Sequence, residues 1–241
     1  MSTSPTAGGR SADRIALAGV FVELASTLAA PYVVSDLAQR LVDGCVELID
    51  VWAAGLLLVD PGSTPKLLAA STHEAQVLEL VQVRSGQGPC LAAMERDDLV
   101  VVGDVDLVQE EWPLWTQGAR MLGVKQAYGI PLRTDGQTIG ALNLFLKTSG
   151  PLPPEDLAVA RALADVASVG IIQHRALDHA TTVSTQLQSA LDSRVVIEQA
   201  KGRIAEREGI TVAEAFTRLR QRARSTSRPL SEMAREVVDG S

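Results

Sequence analysis

Five arginines, Arg218, Arg220, Arg222, Arg224 and Arg228, fall between Ala215 and Ser231 with no acidic residue among them. A guanidinium is permanently charged and offers planar, paired donors, which suits it to gripping phosphates and carboxylates. Arg220 and Arg224 stand four apart and share a helix face, while Arg218 and Arg222 share another flank. A charge run more often only solvates a helix, so the spacing alone leaves both uses open.

The remaining reactive side chains form no catalytic set. There is no glycine-rich phosphate loop ending in Lys-Ser/Thr, and no Ser or Cys nucleophile with a recognisable base. Cys90 follows a glycine-rich loop beside Pro89 and reads as a small core filler, and Cys45 is separated from it by a helix and a hairpin. His73, His174 and His179 stand at no ligand spacing. His174 and His179, five apart, project about 140° from one another on a helix and cannot clamp one ion. Asp104, Asp106, Glu110 and Glu111 read as an exposed loop. The sequence therefore predicts no catalytic residue, no metal site and no enzyme.

The arginines must be positioned by the last stretch, Arg194 to Asp239, which reads as three helices. The first carries Val196, Ile197, Ala200 and Ile204 at helical spacing and stops near Glu208-Gly209, where glycine suits a left-handed cap. Thr211 and Glu214 spell a capping box that opens the second, with Ala215, Phe216, Leu219 and Ala223 expected to face inward. Pro229 breaks that helix, and a third, from Pro229 or Ser231, carries Leu230, Met233, Ala234, Val237 and Val238. Helices this short are not stable alone, so a three-helix bundle is expected.

Ala200-Lys201-Gly202, Ala215-Phe216, Leu219-Arg220, Ala223, Leu230 and Ala234 closely resemble the ANTAR domain, the RNA-binding module of bacterial transcription antitermination regulators. The resemblance covers about the last fifty residues. It implies a protein that binds a stem-loop in a nascent transcript and so prevents a terminator from forming. On that reading Lys201, Arg220 and Arg224 are the expected phosphate or loop-base contacts, and Gln199 an expected hydrogen-bonding partner of a looped-out base. Arg218 and Arg222 are weaker candidates, on a flank where Glu214 is a nearby partner.

Charge supports that assignment. Residues 1–177 hold 12 basic and 20 acidic side chains, whereas 178–241 hold 10 and 9, so a polyanion should meet the C-terminal end. With 241 residues and 46% hydrophobic content, two packed domains are the natural expectation. Aromatics at 3% leave few platforms for stacking bases. The opening residues 1–12 lack a secretory leader and read as a disordered tail. The apolar run from Ile15 to Val34 is broken by Glu23 and Pro31 and reads as a buried helix. A soluble, cytoplasmic protein with reduced thiols and no membrane partner is expected.

Between Asp13 and Arg175 two helices are expected first, one capped by Asp13 and carrying Ile15 to Leu28, the next opened by Ser35. Strands follow at Val51–Val59, Lys66–Ser71, Leu99–Val102, Val124–Leu132 and Thr138–Lys147. A helix is expected over Glu74–Val83, a loop over Ser85–Cys90, and a long helix from Leu157. Asp60-Pro61-Gly62-Ser63 and Asp135-Gly136 mark turns. The order implies an α+β fold, an antiparallel sheet with flanking helices, followed by a helical connector and an all-α bundle.

Gly88-Pro89-Cys90, Ala92-Ala93, Val102-Gly103-Asp104, Trp112-Pro113, Gly129-Ile130-Pro131-Leu132 and Gly140-Ala141-Leu142-Asn143-Leu144 resemble a GAF domain, a relative of PAS that senses small molecules. The resemblance implies a ligand pocket on one sheet face, closed by the insertions between Thr72 and Gly123. No cofactor is evident, and the identity of a small-molecule ligand is not readable. The asparagine-lysine-phenylalanine pattern of cyclic-nucleotide binders is missing. Trp52, Trp112 and Trp115 read as packed core or interface, with the lining of a pocket as the alternative. A GAF-type reductase of oxidised methionine would need a set of reactive cysteines and ranks last.

No Pro or Gly interrupts Ile171 to Lys201, so one helix should join the halves. Ala176, Ala180, Val183, Leu187, Ala190, Arg194, Ile197, Lys201 and Ile204 alternate by four and three, the seam of a coiled coil. The expected organisation is a tail at 1–12, a GAF-like sensor at 13–175, a coiled-coil connector at 176–193 and an ANTAR-like RNA-binding domain at 194–239. The expected function is transcription antitermination by a homodimer that answers a small-molecule or protein signal. The alternative is a ligand-sensing module that binds a protein partner and no RNA.

Overall fold

The computed structural model describes residues 18–20, 22–23, 33–60, 62–134 and 136–240. The expected tail, most of the helix from Asp13 to Leu28, and the turn residues Pro61 and Asp135 lie outside them. Contacts divide the chain into two units, residues 1–174 and 175–241.

Side chains along a strand point alternately to the two faces of its sheet, and in the first unit both faces are covered. Five antiparallel strands, β1 (Ala53–Leu58), β2 (Lys66–Ala70), β3 (Val100–Val102), β4 (Gln126–Thr134) and β5 (Gln137–Leu146), lie in the order β2-β1-β5-β4-β3. On one face Ala54, Leu56, Ile130, Leu142 and Leu144 pack with Leu37, Leu41 and Cys45 of α1 (Val34–Leu48) and with Leu163, Ala167 and Ile171 of α5 (Pro154–Glu208). On the other, Ala53, Leu57, Ala127, Ala141 and Phe145 meet α2 (His73–Ser85), α3 (Pro89–Arg96) and α4 (Pro113–Met121) through Leu78, Cys90 and Trp115. Burial on both faces explains why these strands read as continuous apolar runs.

Three expectations are corrected. Pro89 and Cys90 are not loop: Pro89 takes the first position of α3, where its missing N–H costs nothing. The acidic stretch from Asp104 to Glu111, expected as loop, carries a 3-10 turn (Val105–Val108), and α4 follows it. Ser35 lies inside the first turn of α1, whose cap position is Val33. Trp112 and Trp115 are buried as expected and meet edge to face, 5.9 Å between ring centres. Asp106 and Glu111 are exposed and pair with Arg120 and Arg96.

α5 runs unbroken for 55 residues, and residues 176–192 along it are all exposed. One 18-residue window of it is apolar enough by composition to cross a membrane, although 39% of that window is buried inside the protein. In the second unit α5 is followed by α6 (Val212–Ser225) and α7 (Leu230–Asp239).

Candidate nucleic-acid interface

The second unit is shaped by its caps. Gly209 takes a left-handed φ of 62° after the end of α5, and the amide of Ile210 bonds back to the Ala205 carbonyl at 3.1 Å, closing the helix. Thr211 then opens α6: its Oγ1 accepts from the Glu214 amide at 3.2 Å while Glu214 Oε2 accepts from the Thr211 amide at 2.9 Å. The Thr211 amide and the Thr211 hydroxyl, which donates to Oε2 at 2.8 Å, hold the Glu214 carboxyl below its ordinary range. α6 ends on Ser227 at φ 52°, with the Arg228 amide bonded to the Ala223 carbonyl at 3.0 Å.

Ala200 and Ile204 of α5, Ala215, Leu219 and Ala223 of α6, and Met233 and Ala234 of α7 form one buried cluster. Arg203 donates to the last carbonyls of α7, at Val237 and Val238, where a cation also answers the helix dipole. The three helices therefore close on one core.

Beside that core, one position on from Ala215, Leu219 and Ala223, the residues Phe216, Arg220 and Arg224 recur at steps of four along a flank of α6. The Arg220 guanidinium carbon lies 5.6 Å from the Phe216 ring centre, and Lys201 Nζ, from α5, lies 5.3 Å from the same point. Arg220 and Arg224 continue into a hollow of about 340 Å³ completed by Ala223, Ser227, Arg228 and Leu230.

Lys201, Arg220 and Arg224 are thus displayed by two packed helices, but they are not equivalent. Lys201 is paired with Glu198 at 2.8 Å and its side chain is only 16% exposed. Among the described residues, the side chains of Arg220, Arg222 and Arg224 make no ion pair. Arg218 is held by Glu208, and Arg228 by Glu232 at 3.5 Å and by Glu236, whose carboxylate raises the guanidinium further. Gln199 is exposed, but two residues from Lys201 turn it about 200° round α5, so it is not among the side chains gathered there.

Phe216 was expected inward. It is half-buried and outside the buried cluster. The only hint in the sequence is that Ala215, Leu219 and Ala223 already complete an inward stripe without it.

In the first unit the notable group is interior. Glu79 on α2 is fully buried and accepts from Asn143 Nδ2 at 2.8 Å and from Gln82 Nε2 at 2.7 Å. Gln82 Oε1 in turn accepts the Cys90 amide at 3.0 Å. Burial pushes the Glu79 carboxyl up to about 8 against these two bonds. It pushes the Cys45 thiol up to about 12, and raises that of Cys90, where the Glu79 charge adds to it. The two thiols lie on opposite faces of the sheet and are held neutral, which makes them poor nucleophiles. No cluster of His, Cys, Asp or Glu among the described residues could hold a metal ion.

A family model for the GAF domain matches residues 34–171, and one for the ANTAR domain matches residues 185–238. Solved structures share the fold of the first. One is the GAF domain of a phosphoenolpyruvate-protein phosphotransferase from Coxiella burnetii, 19% identical with a TM-score of 0.53, covering 68% of this chain and 98% of that one. Another is free methionine-R-sulfoxide reductase from Neisseria meningitidis, 19% identical with a TM-score of 0.52, covering 73% and 96%. At these identities the likeness shows the fold alone. No curated protein matches the chain.

Proposed function

Because the chain belongs to the GAF domain family and carries an ANTAR domain behind its GAF domain, we propose that it is a cytoplasmic regulator that binds RNA stem-loops in nascent transcripts and promotes antitermination. The coarse architecture, a signal-sensing domain joined to a regulatory output domain, follows from the two families. The observation that carries RNA binding is the set of cations on one face of the second unit: Arg220 and Arg224, without ion pairs among the described residues, beside Lys201. Guanidinium forks there are free to meet phosphate oxygens in pairs. Gln199, exposed on the far side of α5 from Lys201, is retained as a base contact apart from these cations.

On this reading residues 13–175 receive the signal, a small molecule or a protein, 176–193 connect, and 194–239 bind RNA. The protein is not an enzyme, in keeping with two buried, neutral cysteines. The connector pairs with a second copy. Leu177, Val183, Leu187 and Leu191 are 64%, 38%, 62% and 58% exposed on α5, and an isolated helix with such a stripe gains by burying it against another.

The test is filter binding of the full-length protein to RNA hairpins over a range of salt. Affinity for hairpins that falls steeply with salt is expected. Affinity that ignores salt, or a protein that retains only a protein partner from its host, would sink the proposal.

A further inference from the structure

Phe216 is the single aromatic side chain of residues 175–241, and the bundle does not use it as core. The buried cluster is built from Ala, Ile, Leu and Met, and Phe216 is also missing from the half-buried apolar side chains packed against it. A phenyl ring is among the largest apolar surfaces a small bundle can bury. It is instead held half-buried beside that core, which leaves part of the ring open to solvent.

What surrounds the ring is cationic and comes from two helices: Lys201 Nζ at 5.3 Å and the Arg220 guanidinium at 5.6 Å from its centre. Single-stranded nucleic acid is held by this pairing of an aromatic face for the base and cations for the backbone. A paired stem offers no free base face, whereas loop bases can be splayed out and stacked on a side chain.

We propose that Phe216 is the platform on which one unpaired base of the bound RNA loop stacks, with Lys201 and Arg220 holding the adjoining phosphates. This rests on the RNA-binding reading above and adds to it a side chain, Phe216, that meets a loop base by stacking instead of by charge or hydrogen bond.

The test uses the full-length protein and a library of hairpins with a fixed stem and a randomised loop, selected on the wild type. Phe216→Leu should weaken binding of the selected hairpins about ten- to a hundredfold, with an unchanged salt slope and unchanged affinity for the uninterrupted duplex of the same stem. Phe216→Tyr, which keeps the ring, should bind as the wild type does. In the wild type itself, 5-iodouridine placed in the selected loop should photocrosslink to Phe216 by mass spectrometry, a result that does not depend on any variant folding. Equal binding by Phe216→Leu, or crosslinks found only at other residues, overturns the stacking role while leaving the RNA reading in place. A wild type that enriches no hairpin overturns both.

Discussion

Asn143 of β5 donates its side-chain amide to the carboxylate of Glu79 on α2 across 2.8 Å, joining the sheet to a helix through a fully buried carboxyl. Asn143 Oδ1 is itself buried without a hydrogen-bond partner, so the amide can turn over and accept from a protonated Glu79. Burial favours the neutral acid, with a folded value of about 8 against an ordinary 4.5. The folded state therefore keeps a proton that the unfolded chain releases. This contribution is full below about pH 4.5 and is lost as pH rises through about 8. The whole effect is on the order of 5 kcal/mol. Glu79→Gln, neutral at every pH, should flatten the dependence: over this range the wild type's melting temperature should fall relative to the variant's. Parallel curves from thermal melts would show that Glu79 is ionised in the folded protein.

Gly129 on β4 lets α3 approach the sheet. A Cβ there would stand 2.4 Å from the Pro89 carbonyl oxygen and 3.2 Å from the Ala93 Cβ, and the backbone cannot turn aside. Gly129→Ala should destabilise the protein by about 1–3 kcal/mol. Gly202, exposed in α5 with nothing within 4 Å of an added Cβ, is the opposite case, and Gly202→Ala should stabilise by about 0.5–1 kcal/mol. Urea midpoints that move together in the two variants would contradict the tight packing of α3.

Thr211 and Glu214 cap each other's backbone at the start of α6. Thr211→Ala should cost about 1 kcal/mol, while Thr211→Ser, which keeps the oxygen, should melt close to the wild type. Calorimetry that finds the alanine variant unchanged would mean that the cap adds nothing to the bundle.

Those caps also show what a sequence makes legible. Gly209, Thr211 and Glu214 act on neighbours within a few residues, so their types and spacing carry the whole signal. The apolar runs of β1, β4 and β5 are legible for the same reason. α3 is not: eight residues opened by a proline show too little periodicity, and it is held by its approach to Gly129. Nor is the Glu79 group, because its partners at 82, 90 and 143 meet only in the fold. At the candidate site the types of Lys201 and Arg220 could be read, but the Glu198 pair on Lys201, the Glu208 hold on Arg218 and the outward turn of Phe216 follow from how α5 and α6 pack.

Leu187 is 62% exposed at the middle of the seam on α5. If the seam pairs two copies, Leu187→Glu places like charges against each other in an apolar contact and should convert a dimer to a monomer at micromolar concentration. Being exposed in the single chain, the position should leave the melting of the first unit unchanged. Sedimentation equilibrium of both proteins decides it, and a wild type that is already monomeric rules the seam out.

The free and the occupied arginines make opposite predictions for RNA. Each phosphate contact to a single-stranded loop contributes about −0.7 to the slope of log K against log salt, so three to five contacts give roughly −2 to −3.5. Among the described residues Arg220 and Arg224 make no ion pair, so Arg220→Ala with Arg224→Ala should make the slope shallower by about 1.4. Arg218 is held by Glu208, and Arg218→Ala should leave the slope nearly unchanged. Lys201 lies between, because Glu198 takes its ammonium at 2.8 Å and RNA must compete for it. Glu198→Gln removes the competitor together with a negative charge that repels phosphate, and should tighten binding several-fold at low salt, with the gain fading as salt rises. Weaker binding by Glu198→Gln would mean that the pair positions Lys201 for RNA instead of withholding it.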